Sequence, residues 1–286
     1  MKLKILQYKY LFILVLFSCE SNIKNQYNFG LERIKARDYE EAIPLFTEII
    51  NKDSNKNEVY QSRGYCYFKI QKYALAISDY KKAFEIKENN QLNFNIGISY
   101  MKLRKFNLAL NYLNKYERKD SNNKNLWLQK ANCFNQLKNY SNALIYYQKA
   151  KIAYPDSIKI IRDLGLCNFQ LSNYYVAIEN LKFYLDSVEN DKICHEAIAV
   201  SHFELKNFKI AKSYFDQMLE MGFQNSEKLQ SIKIENLLML GKSQYSKEKY
   251  LNAMQTFSEV ITYDNLNNEA YFNRGLVQLY FEKRIE

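Results

Sequence analysis

Proline is almost missing from this chain, with two in 286 residues, so few points interrupt a helix. Glycine is scarce as well, with seven in all, and the few there are do not cluster into linkers. Two prolines and 25% charged residues argue against a disordered chain. There are only two histidines, His195 and His202, and one tryptophan. The apolar run Leu11–Phe17 falls well short of the ~20 residues that cross a bilayer as a helix. Lysines and arginines exceed acids, giving a net charge of +10, but no run is dense enough to act as a basic arm. A moderate excess spread along the chain does not point to nucleic acid.

What is present is apolar and regularly spaced. Residues are 47% hydrophobic and 15% aromatic, ample for a packed core. From Lys124 to Ser157 the chain places Trp127, Ala131, Phe134, Tyr140, Ala143, Tyr147, Ala150 and Pro155. Apolar spacings of three, four and seven mark helical faces. Ala131 and Ala143 let two helices approach closely, and the aromatics fill the space beside them. Pro155 ends the second helix.

The pattern recurs. The small residue of the first helix returns as Gly30, Gly64, Gly97, Ala131, Gly165, Ala199, Gly241 and Gly275, in steps of 34, 33, 34, 34, 34, 42 and 34. Six of the seven glycines hold this position. The small residue of the second helix returns as Ala42, Ala76, Ala109, Ala143, Ala177, Ala211 and Ala253, each preceded three residues earlier by Tyr or Phe. The step of 42 adds eight residues near Ser226–Lys233, where Leu229, Ile232, Leu237 and Leu240 keep a helical face. This predicts two extra turns on one first helix rather than a loop.

These residues resemble the tetratricopeptide repeat, a 34-residue helix–turn–helix with an early Trp, a Leu-Gly pair, Tyr, then Ala, an aromatic and Pro. Here Lys130 stands at the Leu position and Ala131 at the Gly position. The resemblance implies an all-α chain, a right-handed superhelical α-solenoid. Seven repeats and the first helix of an eighth are expected over residues 23–286.

The start of the chain reads differently. Lys2, Lys4 and Lys9 precede the run Leu11–Phe17, as in a signal peptide, and Leu16-Phe17-Ser18-Cys19 resembles a bacterial lipobox. The resemblance implies a signal peptide over 1–18, lipidation of Cys19 and a short linker over 19–22. Such a linker reaches on the order of 25 Å at most. It also implies a place in the bacterial cell envelope, on the periplasmic face of the outer membrane. The other reading is an ordinary signal peptide or an uncleaved apolar start.

Residues able to carry chemistry do not assemble. Cys66, Cys133 and Cys167 share one repeat position, two after the Gly or Ala, where a small apolar side chain is wanted. His195-Glu196 opens like a zinc-protease pattern, but Ala199 stands at the next ligand position. Gly241-Lys242-Ser243 imitates the end of a phosphate loop, yet Asn236 replaces its first glycine. The chain is expected to be no enzyme and to need no cofactor and no metal.

By the same resemblance the first helices line a concave groove. The residues expected there for partner binding are Lys35, Tyr65, Phe68, Lys69, Phe94, Met101, Lys102 and Phe169. An apolar row beside a lysine row suits an acidic or extended peptide. The alternative is a small ligand or glycan held by Tyr65, Phe68, Phe94 and Phe169. The expected reading is a protein-interaction scaffold. The apolar last helix, with Phe272, Leu279 and Tyr280, is expected to be covered, self-association being one route.

Overall fold

The computed structural model describes residues 22–223 and 226–283, and Cys19 and the segment before it lie outside them. Every regular element among the described residues is an α-helix. The chain divides into two compact units that meet between Lys138 and Asn139. The first holds α1 (22–36), α2 (Tyr39–Lys52), α3 (Asn57–Lys69), α4 (Tyr73–Ile86), α5 (Asn90–Lys102), α6 (Phe106–Glu117) and α7 (Lys124–Gln136). The second holds α8 (Tyr140–Ala153), α9 (Ile158–Gln170), α10 (Tyr174–Leu185), α11 (Lys192–Glu204) and α12 (Phe208–Glu220). It continues with α13 (Glu227–Ser246), α14 (Tyr250–Tyr263) and α15 (Asn268–Glu282). Within each unit neighbouring helices stack in chain order, the arrangement of a repeat solenoid.

The small residues do what their spacing requires. All seven second-helix alanines are fully buried. Across from them the first-helix glycines receive a bulky side chain sixteen residues later. A Cβ on Gly30 would stand 2.7 Å from the Phe46 ring, on Gly64 2.9 Å from Tyr80, and on Gly97 2.9 Å from Leu113. In the second unit Gly165 meets Leu181 at 2.7 Å and Gly241 meets Phe257 at 2.6 Å. Real Cβ atoms do not come so close, so these glycines are fixed by helix contact.

The turns inside each repeat carry no glycine. Arg37, Gln71, Arg104, Lys138, Ser172, Lys206 and Glu248 all have φ between 57° and 68°. The Arg37 N–H donates to Ile34 O at 3.0 Å and the Asp38 N–H to Arg33 O at 2.9 Å, satisfying carbonyls that the helix end leaves open. A left-handed L-residue costs roughly 1–2 kcal/mol. Repeat packing on both sides holds it.

Two sequence departures find partners. Lys130, at the position where the repeat resemblance wants Leu, is buried, and its Nζ reaches Glu117 Oε2 of α6 at 2.5 Å. Arg63 of α3 ties three helices. Its Nε and Nη2 both donate to Asp79 of α4 at 2.8 Å, and its Nη1 donates to Thr47 of α2 at 3.0 Å. Pro44 would be harmless in a first turn, but α2 begins at Tyr39, so Pro44 lies in the second turn and leaves the Glu40 carbonyl without its helical donor.

Helix α13 has 20 residues where α9 and α11 have 13 and α15 has 15. The added two turns continue the helix, as the period predicts. Ser226 Oγ accepts the Leu229 N–H at 3.3 Å and caps it. Leu229 is buried against Phe215 and Met218. Lys233, fully buried, donates to Tyr263 Oη at 2.8 Å.

Candidate functional site

In the first unit Lys35, Lys69 and Lys102 each stand in the last turn of a first helix. All three are exposed and make no ion pair among the described residues. A cation there also favours the helix dipole. The Lys69 ammonium lies 5.2 Å over the Tyr65 ring, and Tyr65 meets Tyr39 edge-on at 6.1 Å. The three lysines are therefore open to solvent, with Tyr65 beside Lys69.

The apolar row is half-buried. Phe68 packs on Tyr73 at 5.4 Å. Phe94 packs on Tyr116 at 5.2 Å, and Met101 joins the same cluster. In the second unit Phe169 packs on Tyr174 at 6.3 Å. Each ring thus closes its own repeat with one edge. Tyr65, Phe68 and Phe94 lie against three different second helices, on Tyr39, Tyr73 and Tyr116.

Phe169 does line a hollow, of about 250 Å³. Its floor is Leu166, Phe169 and Val200 of α9 and α11, and its far wall is Leu229 and Ile232 of the extension on α13. Ile193, 55% exposed, stands at the rim. Glu196, held by Lys192 at 3.6 Å, and Lys228 flank it with opposite charges. Lys228 has no carboxylate partner among the described residues. The volume is below the roughly 300–1,000 Å³ of a small-molecule pocket. It suits an apolar side chain on an extended backbone, with a charge at either hand. Ile193, Glu196, Lys228 and Ile232 were not expected as site residues. The signal that could have found them was the 42-residue step, which builds the wall.

The remaining candidates are core. Cys66, Cys133, Cys167 and Cys194 are buried thiols outside any disulfide. Burial pushes the Cys66 thiol up to about 11 and the other three to about 12, which makes them inert at neutral pH. Gly241 sits in mid-helix against Phe257, with its N–H committed to the helix, and Lys242 pairs with Glu269 at 2.5 Å. His202 stacks on Tyr214 at 5.8 Å, and His195 lies beside Tyr214 and Phe223. His195 Nε2 meets Glu189 O at 2.8 Å. Both His202 nitrogens are buried without a partner.

Burial, with Lys182 nearby, lowers the His202 pKa. The unfolded chain therefore takes up this proton first as pH falls below about 6.5. Stability is expected to decline from there until the folded-state pKa is passed, and then to level off for this group. His202→Phe is expected to gain about 1 kcal/mol at neutral pH and to flatten that decline, as read by urea melts across pH. An unchanged pH profile would show that His202 does not titrate in the core.

Comparisons agree with the helical-repeat fold. The family model described as Intraflagellar transport protein 56 matches residues 27–244. No curated protein matches the chain. Among solved structures, the C-terminal part of a TPR repeat-containing protein from Cytophaga hutchinsonii is similar, at 20% identity and a TM-score of 0.57. The match covers 86% of this chain and 98% of that one. A tetratricopeptide repeat protein from Parabacteroides merdae covers 90% of this chain and 98% of its own, at 14% identity and a TM-score of 0.55. YrrB, described as a TPR protein with an unusual peptide-binding site, matches at 22% identity and a TM-score of 0.53, over 59% of this chain and 87% of its own. At such identities the likeness is one of fold.

Proposed function

Because the chain belongs to the family of Intraflagellar transport protein 56, a tetratricopeptide-repeat family, we propose that it is a non-catalytic scaffold that binds protein or peptide partners. The observation that carries this reading is the hollow walled by α13, whose size and flanking charges suit one apolar side chain of an extended peptide. The open lysine row of the first unit supports an acidic segment in such partners. A peptide site in YrrB, a similar fold, is consistent with it.

A random peptide display library tests the reading. Selection on the wild-type chain is expected to yield apolar residues next to charged ones. Binding of the selected peptides is expected to fall about tenfold or more with Val200→Lys, which puts a charge on the floor of the hollow. Changing Lys35, Lys69 and Lys102 to Glu is expected to remove the acidic subset. Peptides indifferent to both changes would move the site away from both the hollow and the lysines.

We also propose that the chain is a lipid-anchored protein of the bacterial cell envelope, attached through Cys19. The support is the lipobox-like run ending Ser18-Cys19. Stable anchoring needs more than one acyl chain, because a single chain binds only marginally. Cys19→Ala is expected to lose all acyl groups and to leave the membrane fraction. Acylated, membrane-bound Cys19→Ala protein would end this part of the account.

A further inference from the structure

In the first unit one space between successive second helices is bridged from within, and the next is open. Arg63, one residue before Gly64, crosses from α3 to Asp79 of α4 and to Thr47 of α2, with its guanidinium 5.7 Å over Tyr60. One repeat further on, the places of Arg63, Asp79, Thr47 and Tyr60 hold Ile96, Tyr112, Lys81 and Asn93. Ile96 is too short to cross, and Tyr112 offers no carboxylate. All four residues line a hollow of about 510 Å³ between α4, α5 and α6. That size lies within the roughly 300–1,000 Å³ of small-molecule pockets. Ile96 and Asn93 are buried at its base, and half-buried Phe84 adds a second apolar wall.

The charge around this hollow is one-sided. Lys81, Lys115 and Arg118 line it and make no ion pair among the described residues. The Lys115 ammonium lies 4.7 Å over the Tyr112 ring and the Lys81 ammonium 5.8 Å over the same ring. Lys81 also donates to Tyr100 Oη at 3.2 Å, and Tyr100 stacks on Tyr112 at 5.6 Å. The stacked rings thus gather two ammonium groups at one wall. The acids of the lining are already matched, Glu88 by Lys119 and Glu85 by Lys82. Three positive charges are left without a counter-charge. In the preceding repeat Asp79 supplies the anion, and here no described residue does.

We infer that this hollow binds a small organic phosphate, a monoester whose aromatic or apolar body is of nucleotide size. The phosphate takes the part of the missing carboxylate, among Lys81, Lys115 and Arg118, and the body rests on Phe84 and Ile96. A monoester carries a charge of about −1.5 to −2 at pH 7 and three strong acceptor oxygens, which suits three cations better than one carboxylate does. The planar fork of Arg118 can take two of those oxygens at once. Asn93 gives its amide N–H to Asn90 at 3.3 Å, which leaves its carbonyl oxygen to accept from a hydroxyl or amine of the body. This site shares no residue with the hollow walled by α13.

The probes are the four ribonucleoside monophosphates and 1-naphthyl phosphate, titrated into the full chain by calorimetry beside inorganic phosphate and each unphosphorylated parent. Saturable binding of at least one ester is expected, about tenfold or more tighter than that of its parent and of inorganic phosphate. Lys115→Ala combined with Arg118→Ala, both at exposed positions, should weaken it about tenfold or more while the melting temperature stays unchanged. The same loss of charge on α8, by Lys149→Ala with Lys151→Ala, should leave it intact. Ile96→Arg with Tyr112→Asp rebuilds the bridge of the preceding repeat inside the hollow and should abolish binding. Absence of binding by every ester would overturn the inference. So would an ester that binds no tighter than its parent or than inorganic phosphate, and so would indifference to the loss of Lys115 and Arg118 or an equal effect of the α8 pair. Vesicles containing phosphatidic acid that bind through Lys115 and Arg118, when no soluble ester does, would assign the hollow to a lipid surface and also overturn it.

Discussion

Asp79→Ala is expected to destabilise the first unit by about 3 kcal/mol, since removing one partner of a buried ion pair leaves the other charge uncompensated. The side chains of Arg63 and Asp79 are 15% and 6% exposed, so water cannot replace the lost carboxylate well. Both carboxylate oxygens are used at 2.8 Å, and Thr47 holds the third guanidinium nitrogen in place. The loss should therefore be felt in α2, α3 and α4 together. Hydrogen exchange is expected to speed up across those three helices and to change little in the second unit. Paired replacement of Arg63 and Asp79 by Met and Leu is expected to recover most of the stability, because an apolar pair of similar volume avoids the desolvation term. A single mutant within about 0.5 kcal/mol of wild type, the range of an ordinary surface change, would show that the pair is solvated.

The second large effect contrasts two glycines in one repeat position. Gly241→Leu is expected to cost about 3 kcal/mol, at the upper end of overpacking in a core. Its Cβ alone would lie 2.6 Å from Phe257, which is 1% exposed and cannot swing aside. Gly275→Leu is expected to raise stability by about 1 kcal/mol, since it meets nothing and replaces glycine in a helix. The two changes are chemically identical, so opposite shifts in melting temperature would isolate the contact. Equal shifts would mean that the sixteen-residue pairing does not organise the second unit.

Much of the fold was legible because one constraint repeats. A residue that must stay small to admit a neighbouring ring leaves a mark every 34 residues, and Gly30, Gly64, Gly97, Gly165 and Gly241 all carry it. The turns were not legible in the same way. Turn reasoning looks for glycine where φ is positive, and this chain uses Arg37, Gln71, Lys206 and their equivalents. Their carbonyl partners are fixed by the helices on either side, so local chemistry gives no signal. Lys130 was legible as a departure, but its partner Glu117 lies on another helix at no regular spacing. The same limit applies to the site. Lys35, Lys69, Lys102 and Phe169 follow the repeat, so their exposed or half-buried places on the first helices were readable from it. The wall of Leu229 and Ile232 comes from an irregularity in the repeat, and only the three-dimensional path of α13 brings it to Phe169 and Val200.

Site-specific photo-crosslinking tests most directly whether partners are held at the hollow between α9, α11 and the extension on α13. A photoreactive residue at Val200, on the floor of the hollow, is to be compared with one at Ile152, which is 83% exposed on α8. Irradiation in the cells that make the protein, followed by mass spectrometry, is expected to give discrete adducts from Val200 and none from Ile152. Adducts from Ile152 with none from Val200 would contradict the account.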